Sequence, residues 1–248
     1  MNTASARNEV PSASGTPETG WASKRVDALT LGTALVGVAL TVALGMWART
    51  WSGDLTVTAW FNSAHTTWVG PLADAVYRSL KLFGAIALAV AMSGIIAVKN
   101  KDMWVGVHYG AAVLITWAPV NLLKLVFKRP RPLVHLLPDP SGITPTDWSF
   151  PSGHTTFVAT LVAVGVLMSR SSRLRRLVAG LGVVCIAAIA GMVMVVGVHF
   201  PSDVLGALVW AAGVAPLTVA LGSHLRRWRL RRRCSPEALL QPHASTGA

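Results

Sequence analysis

Six long apolar stretches run through the chain, near residues 28–48, 80–98, 103–124, 155–169, 176–198 and 203–222, with short polar or basic segments between them. A helix crossing the hydrocarbon of a bilayer needs roughly 20 predominantly apolar residues. The pattern therefore predicts an all-α, polytopic membrane protein: a bundle of six transmembrane helices. The fourth stretch is short and reaches spanning length by taking in the preceding "PSGH". The second carries Gly84 and Gly94, small residues that suit close helix packing. The first follows Lys24 and Arg25, as a signal peptide would, but it extends to about Trp47. That is longer than an apolar signal region of roughly 7–15 residues, so it reads as a retained anchor helix.

The pattern also divides the chain. Residues 1–24, rich in Ser, Thr, Pro and Gly with little to bury, are expected to form a disordered N-terminal tail. Residues 25–224 form the six-helix membrane domain, and 225–248 a basic cytoplasmic C-terminal tail.

Composition agrees with the membrane reading. Apolar residues make up 52% of the chain and charged ones 13%, against roughly 25% charged in soluble proteins. The formal charge of +12 raises the question of nucleic acid. Lys and Arg cluster in short loops between apolar runs, however, instead of forming one basic face, so the partner is a bilayer and not a nucleic acid. With both termini placed inside, 15 Lys and Arg fall on the inner side and seven on the outer. The positive-inside rule then puts both ends in the cytoplasm of a plasma-membrane protein. Cys185 and Cys234 show no metal or disulfide spacing, and neither is given a role.

Four of the seven outer cations lie in one segment, "NLLKLVFKRPRPLVH". Helix capping and snorkelling account for Lys124 and Lys128 but not for all four. The fourth span begins at "PSGH" and the sixth at "VHFPSD", so three polar clusters meet on one extracytoplasmic surface. Pro151 and Pro201 each suit the first turn of a helix, which would aim two positive dipole ends at the same region. Lys124 and Arg131 add full charges, and an Arg fork fits phosphate oxygens. The site is built for a phosphate. His199 and Asp203 are four residues apart, so the carboxylate can hold one ring nitrogen and leave the other to attack, while His154 remains as proton donor. His65, His108, His135, His224 and His243 show no such pattern and read as structural.

Here the chain resembles a known family. "KLVFKRPRP" fits the pattern KxxxxxxRP at Lys124, Arg131 and Pro132, "PSGH" fits at 151–154, and "HFPSD" fits HxxxD. Over roughly residues 25–222 the chain is similar to the type 2 phosphatidic acid phosphatase (PAP2) superfamily of integral membrane phosphatases. The resemblance implies a nucleophilic His199 oriented by Asp203, with His154 as general acid. It also implies phosphate binding by Lys124, Arg131, Ser152 and Gly153, with no metal or other cofactor.

One position departs from the pattern. The third motif of that family, SRxxxxxHxxxD, would place Arg at 193, where this chain has Val193, and no Lys or Arg occurs from Leu177 to Ser223. Loss of one transition-state donor costs on the order of 10²–10³ in turnover. Lys128 and Arg129 are candidates to replace it. The expected function is hydrolysis of a lipid phosphate monoester or pyrophosphate in the outer leaflet: undecaprenyl diphosphate, phosphatidylglycerol phosphate or phosphatidate. The alternative is a silent relative that binds lipid phosphate or a partner without turnover, and a more distant one is a lipid carrier or channel. Trp51, Trp60, Trp68 and Trp148, in the outer loops, are expected to be interface anchors or substrate contacts.

Overall fold

The computed structural model describes residues 26–51 and 53–233, and every regular element among them is helical. The expected N-terminal tail lies outside these residues, as does the chain after Arg233. Residues 225–233 continue the last helix.

Each helix has a local reason to start or stop. Helix α1 (Ala28–Thr50) opens on Asp27, whose carboxylate accepts the Thr30 N–H at 2.8 Å. Two short helices, α2 (Leu55–Asn62) and α3 (Val69–Ser79), follow, with one 3₁₀ turn between them. Helix α4 (Leu82–Asn100) ends where Lys101 turns left-handed at φ 51°, and Asp102 caps α5 (Met103–Trp117) by accepting the Trp104 N–H. The third span breaks at Ala118–Pro119, where proline removes a backbone donor, and resumes as α6 (Val120–Phe127). Ser152 caps α7 (Gly153–Met168), Ser171 caps α8 (Ser172–Val195), and Pro201 is the first residue of α9 (Pro201–Arg233).

Among the described residues, five segments are long and apolar enough to cross a membrane: α1, α4, α5 with α6, α8 and α9, while the apolar α7 has 16 residues. Large side chains such as Leu35, Phe83, Val98, Leu122 and Val183 are exposed, an apolar exterior fit for lipid. The core gathers Tyr109, Val113, Phe157, Val164, Val193 and Val219 from α5, α7, α8 and α9. Helix α1 packs chiefly on α9, and a Cβ built on Gly37 would come within 2.6 Å of the Gly213 Cα. Close approach between α4 and α5 comes from Gly106 and Gly110 against Ser93 and Ala97. Gly94, expected to serve this purpose, meets open space.

The two ends of the bundle differ. At one, Arg226 donates to Asp102 at 2.5 Å and joins α9 to the α4–α5 turn. At the other, α2 and α3 pack on α8, near where α6 ends and α7 and α9 begin. His65 holds this cap together, 3.2 Å from Asp74 and 3.1 Å from Asp139.

Candidate active site

The end of α6, the start of α7 and the start of α9 bring the three sequence clusters together. Lys128 turns left-handed at φ 47° and ends α6, which sends the next residues back across the bundle end. The Arg129 carbonyl then accepts the Ser149 N–H at 2.9 Å, and the Asp203 carbonyl accepts the Ser152 N–H at 3.1 Å. These two backbone bonds tie the basic segment to "PSGH", and "PSGH" to the start of α9.

His199 and Asp203 are both buried. His199 Nδ1 lies 3.2 Å from Asp203 Oδ2, and Nε2 lies 3.2 Å from Arg131 Nη1. Because a guanidinium can only donate, Nε2 must accept, which leaves the proton on Nδ1 facing the carboxylate. This is the tautomer that a nucleophilic Nε2 needs. Burial pushes the His199 imidazole down to about 3, helped by Arg131 and opposed by Asp203. The ring is therefore neutral at physiological pH. Asp203 is fixed by further donors: the Phe200 N–H at 2.9 Å, Arg129 Nη1 at 2.6 Å and the Ser149 hydroxyl.

Lys124 and Arg131 converge on one carboxylate, that of Asp147, at 2.5 Å and 2.7 Å. Burial would raise the Asp147 carboxyl, but Arg131 and Lys124 outweigh it and hold the group well below the usual carboxylate range. The two cations are thus close enough to grip one anion from two sides. Gly153 faces them: a Cβ there would meet only Lys124 Cε, at 4.0 Å. The N–H groups of Gly153 and His154, in the first turn of α7, have no acceptor among the described residues. Helix N-termini present such donors to anions.

His154 stacks on Tyr77 with ring centroids 4.3 Å apart, and its Nε2 lies 2.9 Å from the Tyr77 carbonyl. That carbonyl accepts the Nε2 proton and leaves Nδ1 to exchange a proton with a substrate.

A model of the PAP2 superfamily matches residues 78–227. The chain belongs to the PAP2 superfamily. It is 31% identical over 183 residues to the decaprenylphosphoryl-5-phosphoribose phosphatase of Mycobacterium tuberculosis, covering 72% of this chain and 96% of that one. It is 28% identical over 161 residues to phosphatidylglycerophosphatase B of Haemophilus influenzae, covering 46% and 64%. The fold is similar to the crystal structure of a transmembrane PAP2-type phosphatidylglycerolphosphate phosphatase from Bacillus subtilis. The TM-score is 0.57 at 17% identity, over 82% of this chain and 98% of that one.

Within this PAP2 frame, three sequence expectations need correction. Pro151 does not lie in the first turn of α7; it precedes the cap, Ser152. The start of α9 does not offer open donors, because Asp54 accepts both the N–H of Ser202, at 3.0 Å, and its hydroxyl, at 2.5 Å. Only the dipole end of α7 remains for a ligand. Arg129 does not replace the absent third-motif cation. It is 2% exposed, sits over the Phe200 ring, and donates to Asp203, Ser202, Asp54 and the Trp51 carbonyl. Two opposing carboxylates draw it behind the His199–Asp203 pair. Val193 is 2% exposed in the apolar core.

Asp54, Ser149 and Asp147 were not singled out from the sequence. Asp147 had one visible clue, its place five residues before Ser152, between the basic segment and "PSGH". Asp54 had none.

Proposed function

We propose that this protein removes a terminal phosphate, as a monoester or pyrophosphate, from a lipid in the outer leaflet of the plasma membrane, through a phosphohistidine at His199. The observation that carries this reading is the alignment Asp203–His199–Arg131, with Nδ1 on the carboxylate and Nε2 beside a phosphate-binding guanidinium.

His199 Nε2 attacks phosphorus as the bond to the lipid oxygen breaks. His154, entering the step as the imidazolium, gives that oxygen its Nδ1 proton and keeps the Nε2 proton on the Tyr77 carbonyl. The Asp203 carboxylate stabilises the positive charge that grows on the imidazole. Lys124, Arg131 and the N–H groups at the start of α7 hold the phosphoryl oxygens, with Ser152 fixing that turn. Water then attacks the phosphohistidine, His154 takes back a proton, and the N–P bond breaks to release phosphate. Two full cations and a helix end supply the charge that a metal would otherwise bring, so the reaction needs none. The 15 to seven distribution of Lys and Arg supports a site on the extracytoplasmic face of a six-span bundle whose ends are cytoplasmic. The names of the relatives support a lipid-linked phosphate as substrate.

Val193, at the position of the third-motif Arg, favours a second reading: a protein that binds lipid phosphate without turnover. One experiment separates them. The purified protein is mixed with radiolabelled lipid phosphate and quenched in alkali, where phosphohistidine survives. The enzyme reading expects label in wild type and none in His199→Ala, slower labelling in His154→Ala with poor leaving groups, and no effect of EDTA. Full turnover in His199→Ala would sink the nucleophile assignment, and lipid phosphate bound without turnover would establish the silent binder.

A further inference from the structure

A cleft of about 240 Å³ opens beside the site, lined by Tyr77, Arg78, Lys81 and the loop from Gly142 to Pro145. Its wall is shared with the proposed proton donor, because Tyr77 both stacks on His154 and accepts its Nε2 proton. Its floor is tied to the nucleophile's segment: Ser141 donates to the Val196 carbonyl at 2.9 Å and accepts the Ile143 N–H at 3.3 Å. Arg131 donates to the Val198 carbonyl at 2.6 Å, two residues from the carbonyl that Ser141 holds. The cleft and the phosphate-binding cations therefore adjoin.

Arg78 and Lys81 are exposed, and neither has an ion pair or side-chain hydrogen bond among the described residues. Of the other cations near this end, Lys124 and Arg131 are engaged by Asp147 and Arg129 by Asp54 and Asp203, while Lys128 and Arg49 are exposed but do not line the cleft. The acids that could have neutralised Arg78 and Lys81, Asp74 and Asp139, both face His65. Two uncompensated cations on a polar cleft, one side chain away from a phosphate site, suit a second anionic group on the same molecule.

We propose that Arg78 and Lys81 form a second phosphate subsite, which binds the internal phosphodiester of a lipid whose terminal phosphate monoester lies at His199. This rests on the proposed function and narrows it: the substrate carries two phosphate groups separated by a polyol or sugar, and a lipid with one phosphate leaves the cleft unused. The guanidinium of Arg78 can fork onto two phosphodiester oxygens while Lys81 adds a point charge.

The test uses the full-length protein and the double variant Arg78→Gln, Lys81→Gln. Turnover of phosphatidylglycerophosphate is compared with that of phosphatidate, each in mixed micelles. Loss of two charge-assisted contacts should lower the kcat/KM ratio of the first substrate to the second by about 10–100-fold. An unmoved ratio, or an equal loss on both substrates, overturns the subsite. Calorimetry gives a readout independent of turnover. Glycerol 1,3-bisphosphate or ribose 1,5-bisphosphate should bind wild type at least about tenfold more tightly than glycerol phosphate, and the double variant should lose that advantage. Equal binding of all three to wild type also overturns the subsite. Failure of the catalytic reading would show instead as full activity in His199→Ala, with the bisphosphate preference intact.

Discussion

Arg129 Nη1 lies 2.6 Å from Asp203 Oδ1, on the carboxylate oxygen that His199 does not use. The guanidinium thus supports the carboxylate from behind, and in the proposed reaction its influence runs through Asp203. Replacing it should lower kcat by about 10–100-fold through loss of a charge-assisted hydrogen bond, while KM changes little. Arg129→Met leaves Asp54 and Asp203 buried without their cation, a loss of about 3–5 kcal/mol for a broken buried pair. Arg129→Lys keeps the charge without the fork. The expected order of melting temperature in detergent is wild type, Arg129→Lys, Arg129→Met. A KM rise with unchanged kcat would place Arg129 on the substrate.

Asp147 pairs with both Lys124 and Arg131, so under the proposed function it competes with phosphate for them. Asp147→Asn removes the competing charge and keeps the shape. Inorganic phosphate should then inhibit turnover at a concentration about tenfold lower, the effect of one charge-assisted contact. A weaker inhibition by phosphate in the variant would show that the carboxylate positions the cations for substrate and does not oppose it.

The His199 imidazole titrates at about 3 in the fold and at about 6.5 in an unfolded chain. The unfolded state therefore takes up the proton first. Stability should be level above pH 6.5 and fall as pH drops from there toward 3. Thermal melts of the solubilised protein between pH 7.5 and 4 should show this slope in wild type, with a shallower slope in His199→Gln. The acid limb of kcat/KM in the same range must come from another group. Parallel slopes in the two proteins would contradict the neutral state of His199.

Val193 fills space in the core, so an Arg there would meet apolar neighbours. Val193→Arg should reduce folded yield and melting temperature, through overpacking and burial of a charge, and should leave turnover no higher than wild type. A folded variant with raised turnover would show that its side chain reaches the phosphate after all.

Elements with local signatures were readable in the chain. Each span is a long, largely apolar run, and Ser152, Pro201 and the His199–Asp203 spacing belong to helix starts whose rules act within four residues. What could not be read depends on contacts distant in sequence. Asp54 meets Ser202 across 148 positions, and Arg129 meets Asp203 across 74. No periodicity announces such pairs. Arg129 and Lys128 look equivalent as adjacent cations, yet a left-handed turn at Lys128 sends one outward and the other into a buried carboxylate cage. The misjudged start of α9 has the same origin: its open donors were inferred from Pro201 alone, and a remote aspartate had already claimed them.

Gly37 and Gly213 touch backbone to backbone near opposite ends of the described chain, and α1 packs chiefly on α9. A ribosome delivers the first helix to the bilayer long before the last one exists. Until α9 is inserted, α1 must wait in lipid without its principal neighbour, and the bundle cannot close earlier than the final helix. The active-site end follows the same clock, because His199 and Asp203 arrive with that helix. Assembly of the proposed catalytic centre and locking of α1 are therefore one late event in the life of each molecule.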